Sequence, residues 1–449
     1  MSLNPWRHCG ALAFLFLVAC MASGIYVYAV FDTSVAGAYE SGRALTDDVA
    51  LGGRLMRGLH RYSGDACVVF TLLHILRETV RRHFGGWRAW SWLSGWVLVP
   101  LLWIAGITGF WLAWDARALF SAAATAEWLA AWPWNASALA RNFATGEAMN
   151  DRFFSLAIFL HIGLALLALA AMWAHVARIA HVRAWPPRAL GVGTLGALAV
   201  LALLHPAASL ARADAFTIPA ALSADWFFLF PHAVMPSLSP EGLWLAVAAV
   251  AFLALAAPWM DRARPRAAIV NLAQCNGCAR CADDCPFGAI DMAARSDGRR
   301  FTREPHVDAA LCAGCGICVG ACPTATPLRR AGTLAAGIAL PSPSIAELQR
   351  RIDRAVGTPE STVVFACAVG PERATHPGAT VITVPCVGMI PPSFAEYAWR
   401  RGAARVVVAS CREDDCEYRL GDRFTRERFA RAAWARVRAL VHPLEVPRA

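Results

Sequence analysis

Eight cysteines form two runs of one spacing: Cys275, Cys278, Cys281 and Cys285 before Pro286, and Cys312, Cys315, Cys318 and Cys322 before Pro323. The pattern is C-x2-C-x2-C-x3-C-P, twice. Three closely spaced thiolates can grip three irons of a cubane. The distant fourth cysteine serves the other cubane, and the proline turns the chain away. The spacing predicts one [4Fe–4S] cluster on Cys275, Cys278, Cys281 and Cys322, and a second on Cys312, Cys315, Cys318 and Cys285. Zinc is the competing metal, and eight thiols in this arrangement argue against it. Gly277, Gly314 and Gly316 let the chain wrap tightly and expose backbone N–H groups to sulfide.

Four histidines lie inside long apolar stretches in two pairs, His60 with His74 and His161 with His175, each pair fourteen residues apart. Fourteen residues make almost four helical turns, so each pair shares a face with a rise of ~21 Å. Two such helices face to face present two His–His pairs at two depths. Each pair can bind one haem iron through both axial positions, which suits electron transfer and leaves no open oxygen site. Gly10 and Gly24 are also fourteen apart, as are Gly95 and Gly109. A glycine has no Cβ, so a flat macrocycle can approach its backbone. A single buried histidine is ordinarily a satisfied core residue, and a single membrane glycine ordinarily serves helix packing. Four elements sharing one period point instead to four helices around two stacked haems.

Four cysteines remain near the C-terminus: Cys367, Cys386, Cys411 and Cys416. Three of them directly follow short β-rich runs. In a parallel sheet, strand ends converge on one edge. Cys416, five residues beyond Cys411, can close a four-thiolate site there, suited to a [2Fe–2S] cluster or to zinc.

These residues need elements to hold them. The chain has 449 residues, 57% of them hydrophobic, with a mean hydropathy of +0.44. Nearly all the long apolar runs lie in the first 260 residues. Six of them, near 11–30, 62–80, 93–114, 153–180, 189–205 and 241–258, are read as membrane-spanning helices of ~20 residues. The first lacks a small-residue cleavage site after its apolar run and is read as a retained helix. Arg77, Arg81, Arg82 and Arg88 follow the second segment, Arg178, Arg183 and Arg188 the fourth, and Arg262, Arg264 and Arg266 the sixth. The opposite loops mix signs, with Asp32, Glu40, Asp47 and Asp48 in one and Asp115, Glu127, Glu147 and Asp151 in another. The positive-inside rule then puts residues 261–449 in the cytoplasm. A reducing compartment agrees with cysteines spaced for metals instead of disulfides. Cys9, Cys20 and Cys67 read as small buried hydrophobes.

The net charge of +10 comes from arginine alone, because the chain has no lysine. These arginines cluster beside apolar segments, so membrane topology accounts for them and nucleic acid does not. The expected order is a membrane di-haem domain over 1–262, a two-cluster domain over 263–328, a linker over 329–344 and a small α/β domain over 345–449. In that last domain strands at Thr362–Phe365, Thr380–Val384 and Arg405–Ala409 alternate with helices at 393–401 and 425–440.

Three resemblances follow from these residues. Arg57–Gly64, Leu72–Arg77, Trp92–Leu98 and Ile107–Asp115 resemble the cytochrome b of quinol-oxidising bc-type complexes, over about 5–260. That resemblance implies that His60 and His161 hold a haem near the outer face, and His74 and His175 one near the cytoplasm. It also implies that Arg57 and Arg77 pair with haem propionates. Asp225–Phe230 resembles that family's quinol-site motif, with Asp225 in place of its glutamate as the quinol proton acceptor and Ala224 in place of its proline. The family's fourth-helix histidine usually stands where this chain has Ala157; here His161 follows one turn later. His181, His205 and His232 flank helices, and an interfacial place is expected for His181.

The paired cysteine runs are those of a bacterial ferredoxin. The stretch from about 360 to 440, with Cys411 to Gly421 its most specific part, resembles the delta (iron–sulfur) subunit of methyl-viologen-reducing hydrogenase. That family carries a [2Fe–2S] cluster. Gly370 stands where members often have a second cysteine, so the ligand set rests on the four cysteines named.

Together these readings describe a multi-pass electron carrier of the bacterial cytoplasmic membrane, with its iron–sulfur domains on the cytoplasmic side. Electrons would pass between a cytoplasmic dehydrogenase, hydrogenase or flavoprotein subunit and quinone, and the membrane domain could pair as a homodimer. No Rossmann fingerprint and no P-loop is present, so the primary substrate belongs to another polypeptide. Reverse flow, from quinol toward low-potential acceptors, and a redox sensor or docking scaffold that does not turn over are the alternatives.

Overall fold

The computed structural model describes residues 3–48, 52–132, 150–177, 182–214, 225–260, 266–325, 332–357, 361–369, 378–411 and 416–431. The chain divides into two compact units. One comprises Leu3–Ala177 with Arg183–Asp261, and the other is mainly Arg262–Ala449. The expectations for Arg178, His181, Glu147, Ala224, Arg262, Arg264 and Gly370 lie outside the described residues.

The first unit is helical. Helices α1 (Cys9–Val30) and α3 (Gly52–Val80) pack along each other, as do α4 (Ala89–Leu112) and α6 (Asp151–Ala177). Shorter helices surround these pairs: α2 (Ala38–Asp47), α5 (Ala116–Ala130), α7 (Arg188–Leu204) and α8 (Phe230–Leu238), followed by the longer α9 (Pro240–Met260). An aromatic core built from Trp111, Trp114, Phe153, Phe154 and Phe228 ties α4 to α6 and to the entry of α8. Leu245, Phe252, Leu253, Trp259 and Met260 stay exposed along α9, as a lipid-facing surface requires.

Four helices among the described residues, not six, are long and apolar enough to cross a membrane: Pro5–Val30, Gly86–Leu112, Asp151–Ala177 and Pro240–Met260. The expected second and fifth spans depart from that measure for different reasons. The 29-residue α3 is long enough but carries Arg54, Arg57, Arg61, Asp65, Arg77 and Glu78 beside its two histidines. The apolar α7 has only 17 residues, about 26 Å of helix.

In the second unit β1 (Ile269–Val270) pairs antiparallel with β4 (Ile338–Ala339), and β2 (Ile290–Ala294) with β3 (Arg303–Val307). Two short helices, α10 (Arg280–Asp283) and α11 (Ile317–Ala321), carry cysteines of the two runs. The described part of the segment expected as a linker is built into this module. Leu334, Ala336, Ile338 and Leu340 are buried there, and Ile338–Ala339 forms a strand. Beyond it, α12 (Ile345–Ala355) is capped by Ser344, whose hydroxyl accepts from the Glu347 N–H at 3.1 Å, and it buries Leu348 and Ile352. A parallel sheet follows in the order β6 (Thr380–Val384), β5 (Thr362–Cys367), β7 (Arg405–Ala409). Its strands lie where the sequence predicts them, with β5 running two residues further to end on Cys367. Helices α13 (Pro392–Arg400) and α14 (Gly421–Arg431) complete the described part.

Asp115 closes the junction after α4. Its Oδ1 accepts from the Arg117 and Ala118 N–H groups at 3.0 Å, capping α5, while Oδ2 accepts from Leu210 N–H at 2.9 Å. Replacing a capping aspartate costs about 1–2 kcal/mol, and here a buried tertiary bond goes with it. Asp115→Ala should therefore lower the thermal unfolding midpoint of the detergent-solubilised protein, whereas an unchanged midpoint would deny that this cap holds the junction.

Candidate redox centres

The four histidine rings meet the four ladder glycines one to one. A Cβ on Gly24 would fall 2.8 Å from Cε1 of His60, one on Gly109 2.9 Å from His161, one on Gly95 3.1 Å from His175 and one on Gly10 3.3 Å from His74. The glycines therefore make room for the imidazoles themselves, where the sequence suggested room for a macrocycle. His60 and His161 face each other across the bundle, with ring centroids 5.9 Å apart. Two imidazoles bound to one metal at roughly 2 Å each stand about this far apart.

The missing Cβ also opens the carbonyl one turn earlier. Nδ1 of His60 bonds the Cys20 carbonyl at 2.8 Å, and Nδ1 of His161 the Ala105 carbonyl at 2.7 Å. Each carbonyl lies four residues before the ladder glycine. Nδ1 of His175 meets the Ser94 hydroxyl at 3.0 Å, with the Ser91 backbone as a further partner. A ring whose Nδ1–H is held by an oxygen presents a bare Nε2, the form a metal takes. His74 differs. Its Nδ1 makes no hydrogen bond among the described residues and stands 3.8 Å from Glu78 Oε1.

Sequence reasoning missed these supporting residues, although a signal was present. Ser23, Ser94 and Thr108 each directly precede a ladder glycine. All three hydroxyls bond backward to their own helix, and those of Ser94 and Thr108 also face a histidine. Cys20, read as a small hydrophobe, donates its thiol to the His60 carbonyl at 3.3 Å.

Arg57 bonds the Gly42 carbonyl at 2.5 Å, the Ser209 hydroxyl at 2.6 Å and the Thr46 hydroxyl, all neutral oxygens. Arg77 meets Glu78 at 3.1 Å. Asp225 is buried. Its Oδ1 accepts from Phe227 N–H at 3.0 Å and Phe228 N–H at 2.6 Å, and its Oδ2 pairs with Arg61 at 2.6 Å. Arg61 also holds Asp65 at 2.5 Å and lies over the Phe110 ring. His205 ends α7 in an exposed position, whereas His232 is buried, its Nε2 2.8 Å from the Thr125 hydroxyl and its ring stacked on Trp103.

In the second unit Cys275, Cys278, Cys281 and Cys322 line one pocket together with Met292, Pro305 and Ile338. Cys285, Cys312, Cys315 and Cys318 form a second neighbourhood in which the thiols act on one another electrostatically. Among the described residues no three or more His, Cys, Asp or Glu side chains close on one point as a single metal ion requires. Amides point at the sulfurs: Gly277 N–H to Cys275 at 3.4 Å, Ala289 N–H to Cys285 at 3.4 Å and Gly337 N–H to Cys322 at 3.3 Å. Such bonds stabilise charged sulfur and set cluster potential. Burial and neighbouring sulfurs push the Cys281 and Cys315 thiols up to about 12, so metal binding must displace protons there. The left-handed backbone of Gly277, Gly314 and Gly316 provides the turns within the runs.

The sheet edge gathers the last four cysteines. Cys367 hydrogen-bonds Cys386 and Cys411, and Cys416 bonds the same two, which closes a ring of four thiols. The Val387 N–H reaches Cys367 Sγ and the Gly388 N–H reaches Cys386 Sγ, both at 3.3 Å. Cys367 is pushed down because two thiols donate to it, and Cys386 is pushed up as the donor between two sulfurs. Four sulfur donors gathered at one sheet edge are the donor chemistry that a [2Fe–2S] cluster or zinc uses, although they do not close on a single point.

Comparison with known proteins divides the chain in the same way. Residues 1–182 match the cytochrome b/b6/petB family model, 274–326 the 4Fe-4S dicluster domain, and 365–438 the methyl-viologen-reducing hydrogenase delta subunit. The menaquinol:cytochrome c reductase cytochrome b subunits of Geobacillus thermodenitrificans and Bacillus subtilis are each 30% identical to it over 112 residues, 25% of this chain and 50% of theirs. Cytochrome b6 of Gracilaria tenuistipitata is 31% identical over 106 residues, 24% of this chain and 49% of the relative. The chain thus spans about half the length of these curated relatives. A solved chain of a hyperthermophilic respiratory Complex III superimposes with a TM-score of 0.47 at 19% identity, over 57% of this chain and 76% of that one. The polypeptide is a fusion of three modules: a cytochrome b segment, a 4Fe-4S ferredoxin-type domain and a domain of the hydrogenase delta-subunit type.

Proposed function

We propose that this chain is the membrane electron-transfer subunit of a quinone-linked oxidoreductase of the bacterial cytoplasmic membrane. The observation that carries the reading is the facing pair His60 and His161, each seated against a glycine of its neighbouring helix with Nδ1 anchored. Two haems b held by His60 with His161 and by His74 with His175, two [4Fe–4S] clusters and a [2Fe–2S] cluster would, when bound, supply a series of one-electron carriers. The protein's part is to hold them. Anchored imidazoles offer Nε2, Arg57 and Arg77 supply positive charge for propionates, and amide N–H groups favour charged sulfur.

Electrons enter from a cytoplasmic dehydrogenase, hydrogenase or flavoprotein subunit docked on the C-terminal domain. They leave to the quinone pool through the membrane module. The arginine distribution supports a cytoplasmic iron–sulfur side. Asp225 would take a quinol proton at Oδ2. Arg61 already bonds Asp65 as well, so it keeps a carboxylate partner when Asp225 is neutralised.

Two experiments test this reading. In the first, Gly24→Val and Gly109→Val crowd the paired imidazoles, whereas Gly163 on α6 has nothing within 4 Å of a Cβ. The first two variants should lose about half of the b-type haem absorbance per chain, as expected when one of two bis-histidine sites goes. Gly163→Val should keep all of it, and equal haem content in all three would contradict the ligand assignment. In the second, a quinol analogue added to membrane vesicles should reduce the haem rapidly, and more slowly in Asp225→Asn. Haem that answers neither quinol nor any cytoplasmic donor would favour a sensor instead.

A further inference from the structure

The second unit contains a seam in which the last four cysteines meet one half of the ferredoxin module. Helix α11 carries Cys318, and the 3-10 turn Val387–Met389 directly follows Cys386. They touch through backbone. A Cβ on Gly320 would collide with the Gly388 carbonyl and stand 2.5 Å from Arg428 Nη1. One on Gly388 would fall 2.9 Å from Ile317 and 3.2 Å from the Gly421 Cα, and one on Gly421 would collide with Cys386 Sγ. Gly316, between Cys315 and Ile317, is closed by Met389 at 2.8 Å. Three glycines thus bring the backbone beside Cys318 to the sulfurs at the sheet edge with no side chain between.

Arg428 of α14 pins this seam. Its Nη1 donates to the Gly388 carbonyl at 2.7 Å, and its Nη2 to Asp284 Oδ2 at 2.7 Å and to the Ile317 carbonyl at 3.2 Å. Asp284 precedes Cys285, and Ile317 precedes Cys318. One guanidinium therefore grips both chain segments that carry ligands of the same [4Fe–4S] site, together with the turn after Cys386. A planar fork with several fixed donors can do this where a lysine cannot. The side chain is largely buried and stacks over Phe424.

We infer that the [4Fe–4S] site of Cys312, Cys315, Cys318 and Cys285, and not that of Cys275, Cys278, Cys281 and Cys322, exchanges electrons directly with the four-thiol site, and that Arg428 is the positioning residue for the exchange. This rests on the cluster assignment proposed above. One electron, delivered to the four-thiol site by the external donor, passes to the adjacent cluster, with no bond made or broken and no proton moved. The cluster of the first run comes next.

The test uses the full chain in detergent, reduced with dithionite and examined by frozen-solution electron paramagnetic resonance, with iron and sulfide counted on the same samples. The wild type should show the C-terminal and adjacent cluster signals broadened by mutual spin coupling. Arg428→Ala and Gly320→Val should lose that coupling with iron and sulfide content kept, and Arg428→Lys should retain part of it. Should Arg428→Ala lose iron, Asp284→Ala, which removes one of the three contacts, should still weaken the coupling. Unchanged coupling in fully loaded Arg428→Ala or Asp284→Ala overturns the role of Arg428. Cluster signals without coupling in the wild type overturn this adjacency alone. Absence of the cluster signals from the wild type overturns the cofactor assignment itself.

Discussion

An imidazole buried in a helical bundle must place both of its nitrogens, and the membrane module is organised around that demand. Nδ1 needs an oxygen, and in a helix almost every carbonyl is already taken. The solution repeats: a glycine on the neighbouring helix removes the Cβ that would block the ring, and the carbonyl one turn earlier accepts a second bond. His60 on Cys20 and His161 on Ala105 show it in full. With Nδ1 fixed, Nε2 is turned toward the partner helix. The pairing of α1 with α3 and of α4 with α6 follows from this geometry, because each pair consists of one glycine helix and one histidine helix. The same demand explains the polarity of α3, which carries charge for the site and apolar surface for the bundle on one helix.

The iron–sulfur unit solves a related problem with backbone instead of side chains. Amide N–H groups reach several of its sulfurs, and left-handed turns at Gly277, Gly314 and Gly316 shape the cysteine runs. Packing beyond those turns is also backbone on backbone, at Gly320, Gly388 and Gly421. Such contacts leave no tolerance for a methyl group, so their geometry is stiff. Stiffness suits one-electron transfer, where distance between carriers governs rate and little else must move.

Much of this was legible in the sequence because it is periodic. The interval of fourteen places four histidines against four glycines, and the doubled cysteine run places eight thiols in two sets. Three strand ends gather Cys367, Cys386 and Cys411, and Cys416 joins them. What the sequence did not reveal depends on backbone atoms or on distant partners. The Cys20 and Ala105 carbonyls act through the main chain, so no residue type marks them. The burial of Asp225 against Arg61 links positions 164 residues apart, and its capping bonds depend on the local turn. The segment 329–344 has a linker's composition, yet alternate apolar residues from Leu334 to Leu340 let it pair as a strand edge. Six apolar runs became four spans among the described residues because α3 carries charge along its length and α7 is short, neither of which an apolar run alone reveals.

The central claim is that one polypeptide carries electrons from thiolate-bound iron–sulfur sites to histidine-bound haem. The most direct measurement mixes the purified, oxidised chain with a viologen radical and follows the iron–sulfur and haem absorbances separately in time. Bleaching of the iron–sulfur bands should come first, with haem reduction following, and Cys386→Ser should slow the haem phase while leaving haem content intact. Iron–sulfur sites that reduce fully while the haems stay oxidised would contradict the account.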